Sequence, residues 1–247
     1  SPAPTNLYGV WQDQRLTFKS NYPAGSFNSY GQPLTNKSIS FTSDADLNKM
    51  FHNYSKTSDT NNIYLQTNNH IPAPLGYKLL YFQSDNNPNY KLVGEELGTT
   101  LLNNGSVYTA MWSRPSTVNL TIVNPENLDI SEFTDINLYF NATSGNITTE
   151  GLNAGIKKIN GNTFEWKIPT FSNVTSVDLM DKNSNESFIN IGDTVEKEGY
   201  TLRLEQISKT NSNEFEPNDG YTENLRLVVS KIYPVPTGVI DNIAPMA

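Results

Sequence analysis

Short runs in which apolar and polar residues alternate recur through most of the chain, each closed off by Asn, Asp, Gly or Pro. A period of two marks a strand with one face on a core and the other in water. The cleanest run is 117–123, where Val118, Leu120 and Ile122 fall on one side and Asn119 and Thr121 on the other. Residues 200–207 set Tyr200, Leu202 and Leu204 against Thr201, Arg203 and Glu205, and 224–229 turn Leu225, Leu227 and Val229 inward. Runs 15–18, 38–42, 62–66, 77–82, 107–112, 135–140 and 163–168 are further strand candidates. Pro88, Pro115, Pro125, Pro169 and Pro217 all fall outside these runs, as a hydrogen-bonded ladder requires.

Turn residues separate the strands at 103–106, 144–146, 159–162, 191–193 and 218–221. Asn160–Gly161 is placed to centre a hairpin joining Lys157 and Lys158 to the run 163–168. Helix is scarce. Residues 44–55 offer Ser43 or Asp44 as a cap and Leu47, Met50 and Phe51 on one face, while 95–102 and 126–133 suffice for one turn each. No such segment supports a series of βαβ units, which excludes a doubly wound sheet. The expected fold is all-β: antiparallel β-sandwich domains with long polar loops and one or two short helices.

The rhythm is irregular over 1–36 and 52–90 and regular from 105 onward. Structureless loops of that length are uncommon inside one compact domain. Two domains are therefore expected, an N-terminal β domain over 1–112 with long Asn- and Tyr-rich loops and a C-terminal β-sandwich over 113–234. Residues 235–247 follow as an extended tail or linker, with Pro234 and Pro236 at its start favouring extended backbone.

Composition narrows the setting. Only 17% of the residues are charged, so Asn, Ser and Thr must supply much of the polar surface. Those side chains compete with a helical backbone for hydrogen bonds, which again favours strands and turns. The net charge of -8 and the absence of a basic stripe weigh against nucleic acid and against an anionic membrane surface. No run has the length of a membrane-spanning helix, so direct membrane insertion is not expected. The chain has no cysteine, which removes disulfides, thiol nucleophiles and thiolate metal sites. A Cys-free, acidic, Asn- and Tyr-rich β protein suits an extracellular or cell-surface location, with a virion as the alternative.

Candidate chemistry lies in oxygen-rich loops and in aromatics set among polar residues. The stretch DKNSNES places Asp181, Asn183 and Glu186 where a β-loop calcium site would need oxygens. The EF-hand pattern fails there, because position six is Glu186 and position twelve is Gly192 instead of the turn glycine and the closing glutamate. Glu214, Glu216 and Asp219 form a second acidic loop, which either stays solvated or takes a cation. Calcium is the one ion these loops suit; no motif asks for any other cofactor. Asn-x-Ser/Thr acceptors stand at Asn36, Asn53, Asn104, Asn119, Asn141, Asn146, Asn173 and Asn185.

Catalytic signatures are thin. His52 and His70 are the only histidines, and no Ser sits in a nucleophile elbow. Glycoside hydrolysis needs only two carboxylates, for which Glu165 and Glu205 are the pair on offer. A Lys–Asn amide cross-link could involve Lys167, but nothing singles that residue out and a surface lysine is the far better reading. Ligand contact has broader support. Tyr8, Trp11, Tyr22, Tyr30, Tyr54, Tyr64 and Trp112 lie in polar stretches, where rings can stack on sugar faces or fill protein pockets. The expected function is non-catalytic: surface adhesion or recognition of glycan or protein. The alternatives are a self-assembling subunit of a filament, surface layer, capsid or fibre, and, below that, a glycoside hydrolase.

Overall fold

The computed structural model describes residues 16–41, 71–89, 91–92, 106–210 and 218–233. Among these residues there are strands and turns and no helix. The helical candidates 44–55 and 95–102 and the strand candidate 62–66 lie outside the described residues. The third helical candidate, 126–133, is a loop that enters a strand at Phe133. There the Asn124 amide donates to the Leu128 carbonyl (2.7 Å) and accepts from the Leu128 N–H (2.9 Å). A side chain thus satisfies the backbone groups that a helical turn would have used.

Three sheets are formed. The first holds β1 (Leu16–Lys19), β2 (Ser38–Phe41), β3 (Leu79–Ser84), β4 (Lys91–Leu92) and β5 (Ser106–Trp112), in the order β2-β1-β5-β3-β4. The rest of the chain supplies β6 (Ser116–Val123), β7 (Phe133–Ser144), β8 (Ile147–Lys158), β9 (Thr163–Ile168) and β10 (Ser172–Asp181). It ends with β11 (Glu186–Asn190), β12 (Thr194–Lys197), β13 (Tyr200–Thr210) and β14 (Thr222–Lys231). These nine make a second sheet, β11-β10-β7-β8, and a third, β12-β13-β14-β6-β9.

The second and third sheets face each other across one core. Val118, Leu120 and Ile122 of β6 meet Ile136, Leu138 and Phe140 of β7 there, with Leu202, Leu204, Leu225, Leu227 and Val229 behind them. These are the apolar members of the alternating runs, and burying them is the main force holding the sandwich together. The first sheet has a separate cluster built on Phe18, Phe82, Tyr108 and Trp112.

Two pairings are parallel, β1 with β5 and β6 with β14. Both join strands far apart in sequence, so no tight turn forces them antiparallel. The Asn160–Gly161 turn is not a hairpin either. Strand β8 pairs with β7 in the second sheet and β9 pairs with β6 in the third, so 159–162 carries the chain across the sandwich. Ile159 N–H donates to Thr134 O on one side and Ile122 N–H to Asn162 O on the other. Core burial on both flanks outweighs the local hairpin preference. A two-residue hairpin does join β12 to β13, where Glu198 (φ 53°) and Gly199 (φ 80°) take the paired left-handed conformations that match strand twist.

The first unit leans on the sandwich. Phe27 and Leu75 precede residue 113, yet both pack into the sandwich core. Across the junction the Ser113 and Thr170 hydroxyls pair at 2.7 Å, Ser113 Oγ accepts from Lys78 N–H at 2.9 Å, and Thr170 Oγ1 donates to Arg114 O at 2.6 Å. No helix among the described residues is long and apolar enough to cross a membrane.

Candidate functional site

The loop 23–34 is a rigid hook. Asn28 accepts backbone N–H groups from Tyr30 and Gln32 at 2.9 Å each and donates to the Gln32 side chain. Phe27 bridges to Pro33, and Leu34 N–H donates to Ser26 O. The hook is docked on β8, where a side-chain carbon at Gly31 would meet Leu152 at 3.3 Å. Tyr30 stands at its tip with 85% of its surface exposed. Its ring projects from a backbone that is already ordered, so little entropy is lost when something packs on it.

Beside the hook, a cleft of about 310 Å³ opens where the first unit meets the sandwich. Phe27, Tyr77 and Phe140 supply aromatic lining, and Asn153, Ala154 and Lys167 are among the other wall residues. Phe27 leans on Phe140 with ring centroids 6.2 Å apart. Burial pushes the Tyr77 hydroxyl far above its ordinary range, so it stays a neutral O–H. Asn153 Oδ1 accepts from Gly155 N–H at 2.8 Å, and Lys167 Nζ donates to Thr117 Oγ1 at 2.5 Å. Trp166 Nε1 donates to Gly155 O at 2.9 Å, which ties β9 to β8 beside the cleft. Aromatic lining with a few polar groups is the usual make-up of a small-ligand pocket, and the volume lies at the small end of that class.

The sequence-predicted aromatics divide three ways. Tyr30 is free at the surface. Tyr22 and Trp112 are buried and pack on each other in the first core with centroids 5.9 Å apart. Their polar atoms are bound internally, Tyr22 Oη to Pro72 O and Trp112 Nε1 to Ser20 O, so these two rings hold the first unit together. Tyr8, Trp11, Tyr54 and Tyr64 lie outside the described residues. The cleft takes Tyr77, Phe140 and Lys167 from alternating runs and Phe27, Asn153 and Ala154 from stretches without a strand pattern. A buried Phe and a cleft-lining Phe look alike in a periodic run, while Gly31 against Leu152 and Gly76 tucked under Pro169 mark the close approach of the two units.

The two acidic loops are set apart. Asp181 closes the β10–β11 turn. Its carboxylate accepts the N–H groups of Asn183 and Asn185 (2.9 Å each) and the Asn185 amide (3.1 Å). Those bonds, led by the one from Asn185 N–H, hold its carboxyl below the usual range. Asn183 and Glu186 are exposed beside it. Asp219 lies near the opposite end of β10. Asn218 O accepts from Arg114 N–H, Tyr221 Oη donates to Ser172 O, and Asp219 itself pairs with Arg114 at 2.5 Å. The length of β10 separates the loops, and Glu214 and Glu216 lie outside the described residues. No group of three or more acidic or histidine side chains suited to a metal occurs among the described residues.

The glycan acceptors also differ. Asn146 is exposed on the β7–β8 turn, and Asn173 is exposed with its carbonyl held by Lys209 at 3.1 Å. Asn36 accepts from Tyr22 N–H, Asn141 accepts from Gly151 N–H, and Asn119 and Asn185 donate their amide nitrogens to Asn224 and Asp181. Asn53 and Asn104 lie outside the described residues. Glu165 and Glu205 share the outer face of the third sheet on β9 and β13, three strand positions apart, roughly 14 Å and beyond the spacing of a glycosidase pair. Glu205 is instead held by Arg226 and Arg203, each at 2.6 Å. Lys167 is exposed and lies 3.6 Å from Glu165.

No known protein-family model matches the chain, and no curated protein sequence is similar to it.

Proposed function

We propose that this chain is a non-catalytic recognition or adhesion module of an extracellular surface, binding glycan or protein through the junction cleft and the Tyr30 hook. One observation carries the proposal: a tyrosine 85% exposed on a loop fixed by its own hydrogen bonds, next to an aromatic-lined cleft. Pre-ordered aromatics are what binding surfaces use as anchors, because they bury much area at low entropic cost. The cleft offers hydroxyl, amide and ammonium groups with aromatic lining, a combination that suits sugar rings and polar peptide segments alike.

The test is binding to arrayed glycans and to extracellular-matrix proteins, repeated with Tyr30→Ala and Lys167→Ala. Both side chains are exposed, so the fold should persist. A ligand whose affinity drops at least about tenfold, or about 1.4 kcal/mol, in both variants is expected. A ligand bound equally well by all three proteins would place recognition elsewhere, and failure to retain any would remove the proposal. Assembly is the second reading, favoured by Phe188 and Ile156, which are 51% and 55% exposed on the outer face of the second sheet. Light scattering separates the two, since ordered polymers at micromolar concentration would point to a structural subunit.

A further inference from the structure

At one end of the sandwich a lysine and an asparagine from opposite sheets meet beside a buried glutamate. Glu223 of β14 is only 2% exposed and lies on the inward side of its strand, in line with Leu225 and Leu227. Gln206 Nε2 donates to its Oε1 at 2.8 Å, while its Oε2 is buried with no hydrogen-bond partner. Lys209 of β13 stands directly opposite it in the strand register. Residues paired in this way share a face of the sheet, with their Cβ atoms about 5 Å apart. The Lys209 side chain runs over the Tyr221 ring, its Nζ 4.1 Å from the centroid, and donates to Asn173 Oδ1 at 3.1 Å. Tyr221 in turn donates its hydroxyl to the carbonyl of Ser172, the residue before Asn173. Ser172 and Asn173 belong to β10 in the second sheet, so the cluster spans from one sheet to the other.

A hydrogen bond between Lys209 and Asn173 accounts for those two side chains but gives no reason to bury a carboxylate opposite them. Such burial is costly where an oxygen is left unmet. An amine already touching a carboxamide, with a carboxylate beside them, is the arrangement that forms an amide between two side chains. We propose that Lys209 and Asn173 join through an amide bond, with Glu223 moving the proton.

The Glu223 carboxylate takes a proton from the Lys209 ammonium, directly or through one water. The freed Nζ lone pair attacks Asn173 Cγ, so that a new N–C bond forms and the carboxamide C–N bond breaks. Glu223 returns its proton to the departing nitrogen, which leaves as ammonium and carries off the positive charge that began on Lys209. No electrons change hands, and the carboxylate is regenerated. Lys167, the lysine that the sequence offers for such a link, lacks this setting: its Nζ bonds Thr117 and lies 3.6 Å from an exposed acid, Glu165. The Lys209–Asn173 bond closes 174–208 into a covalent loop and staples the two sheets of the sandwich in a chain that has no cysteine.

Mass spectrometry of the intact chain, produced in a host that does not glycosylate asparagine, tests this. The wild type is expected about 17 Da below its sequence mass, through loss of ammonia. Tryptic mapping should then give one branched peptide carrying both Asn173 and Lys209, which separates the link from ring closure at an Asn–Gly step elsewhere. Lys209→Arg keeps the charge and the donor but cannot form the bond; it should show the full mass and melt roughly 10 °C lower. Glu223→Gln should stay unlinked while its circular dichroism remains that of a folded β protein. If that variant does not fold, Glu223→Asp, which keeps the carboxylate at a shorter reach, should link more slowly than wild type over a time course. Wild-type protein at its full mass, with Asn173 and Lys209 in separate peptides, would overturn the proposal. A link formed at the wild-type rate by the Glu223 variant would overturn the part given to Glu223.

Discussion

Two aspartates on one strand take opposite roles because their neighbours differ. Asp181 faces N–H donors from Asn183 and Asn185, which favour its charged form, while Asp178, three residues earlier, is buried, and that burial, with the Glu186 charge added, pushes its carboxyl upward. The oxygens of DKNSNES suggest a calcium loop from sequence, and in the structure the Asp181 carboxylate among them accepts the N–H groups of its own turn. Nothing local announced the burial of Asp178, since it depends on which strands lie alongside. Asp181→Ala should lower the melting temperature at pH 7 by removing three acceptor contacts. The loss should vanish in strong acid, because a depressed carboxyl gives up its stabilisation as pH falls through its folded pKa. A pH series of melts on both proteins checks this: a deficit that persists unchanged at pH 2 would mean that the turn does not depend on the charge.

At the scale of elements, legibility followed the regularity of burial. Strand β9 matches its alternating run residue for residue, and β6 extends its run by Ser116 alone. Strand β8 escaped notice because it is an edge strand with a single buried hydrophobic, Leu152, and left-handed glycines at 151 and 155. Strand β10 escaped because its pairing with β7 shifts register between Val174 and Ser176, which breaks the period of two. The cleft was hidden for a related reason, as it forms between elements. Gly76 is the sharpest test of that junction. At φ +77° it is left-handed, and a side-chain carbon there would sit 2.6 Å from Pro169 and 3.0 Å from the Phe171 carbonyl. Gly76→Ala should destabilise the protein by at least about 1–2 kcal/mol, measured by urea unfolding. It should also weaken any ligand of the cleft, because Tyr77 follows directly.

For the whole molecule, the two hydrophobic clusters are separate but not independent. Leu75 belongs to the first half of the chain and lies 2% exposed in the sandwich core. Its N–H donates to Phe27 O at 2.7 Å, so the two sandwich contacts of the first half support each other. Leu75→Ala should cost about 2–5 kcal/mol. The loss should register in the sandwich itself, as faster hydrogen exchange at Val118 and Leu227, strands away from the substitution. Exchange accelerated only within the first sheet would show that the halves unfold separately.

Alternating polarity alone determined that this chain is a β protein and named Val118, Leu120, Ile122, Leu202, Leu204, Leu225, Leu227 and Val229 among the residues that its sandwich buries, because period-two burial is a property each strand carries within itself. Composition likewise excluded disulfide and thiolate chemistry outright. Only the tertiary structure decided which strands became neighbours: the parallel pairing of β6 with β14, the crossing at Asn160–Gly161, the burial of Asp178 and the cleft beside Tyr30. Those outcomes depend on contacts between residues distant in the chain, selected by the common core they bury, and no local pattern encodes a partner that is far away.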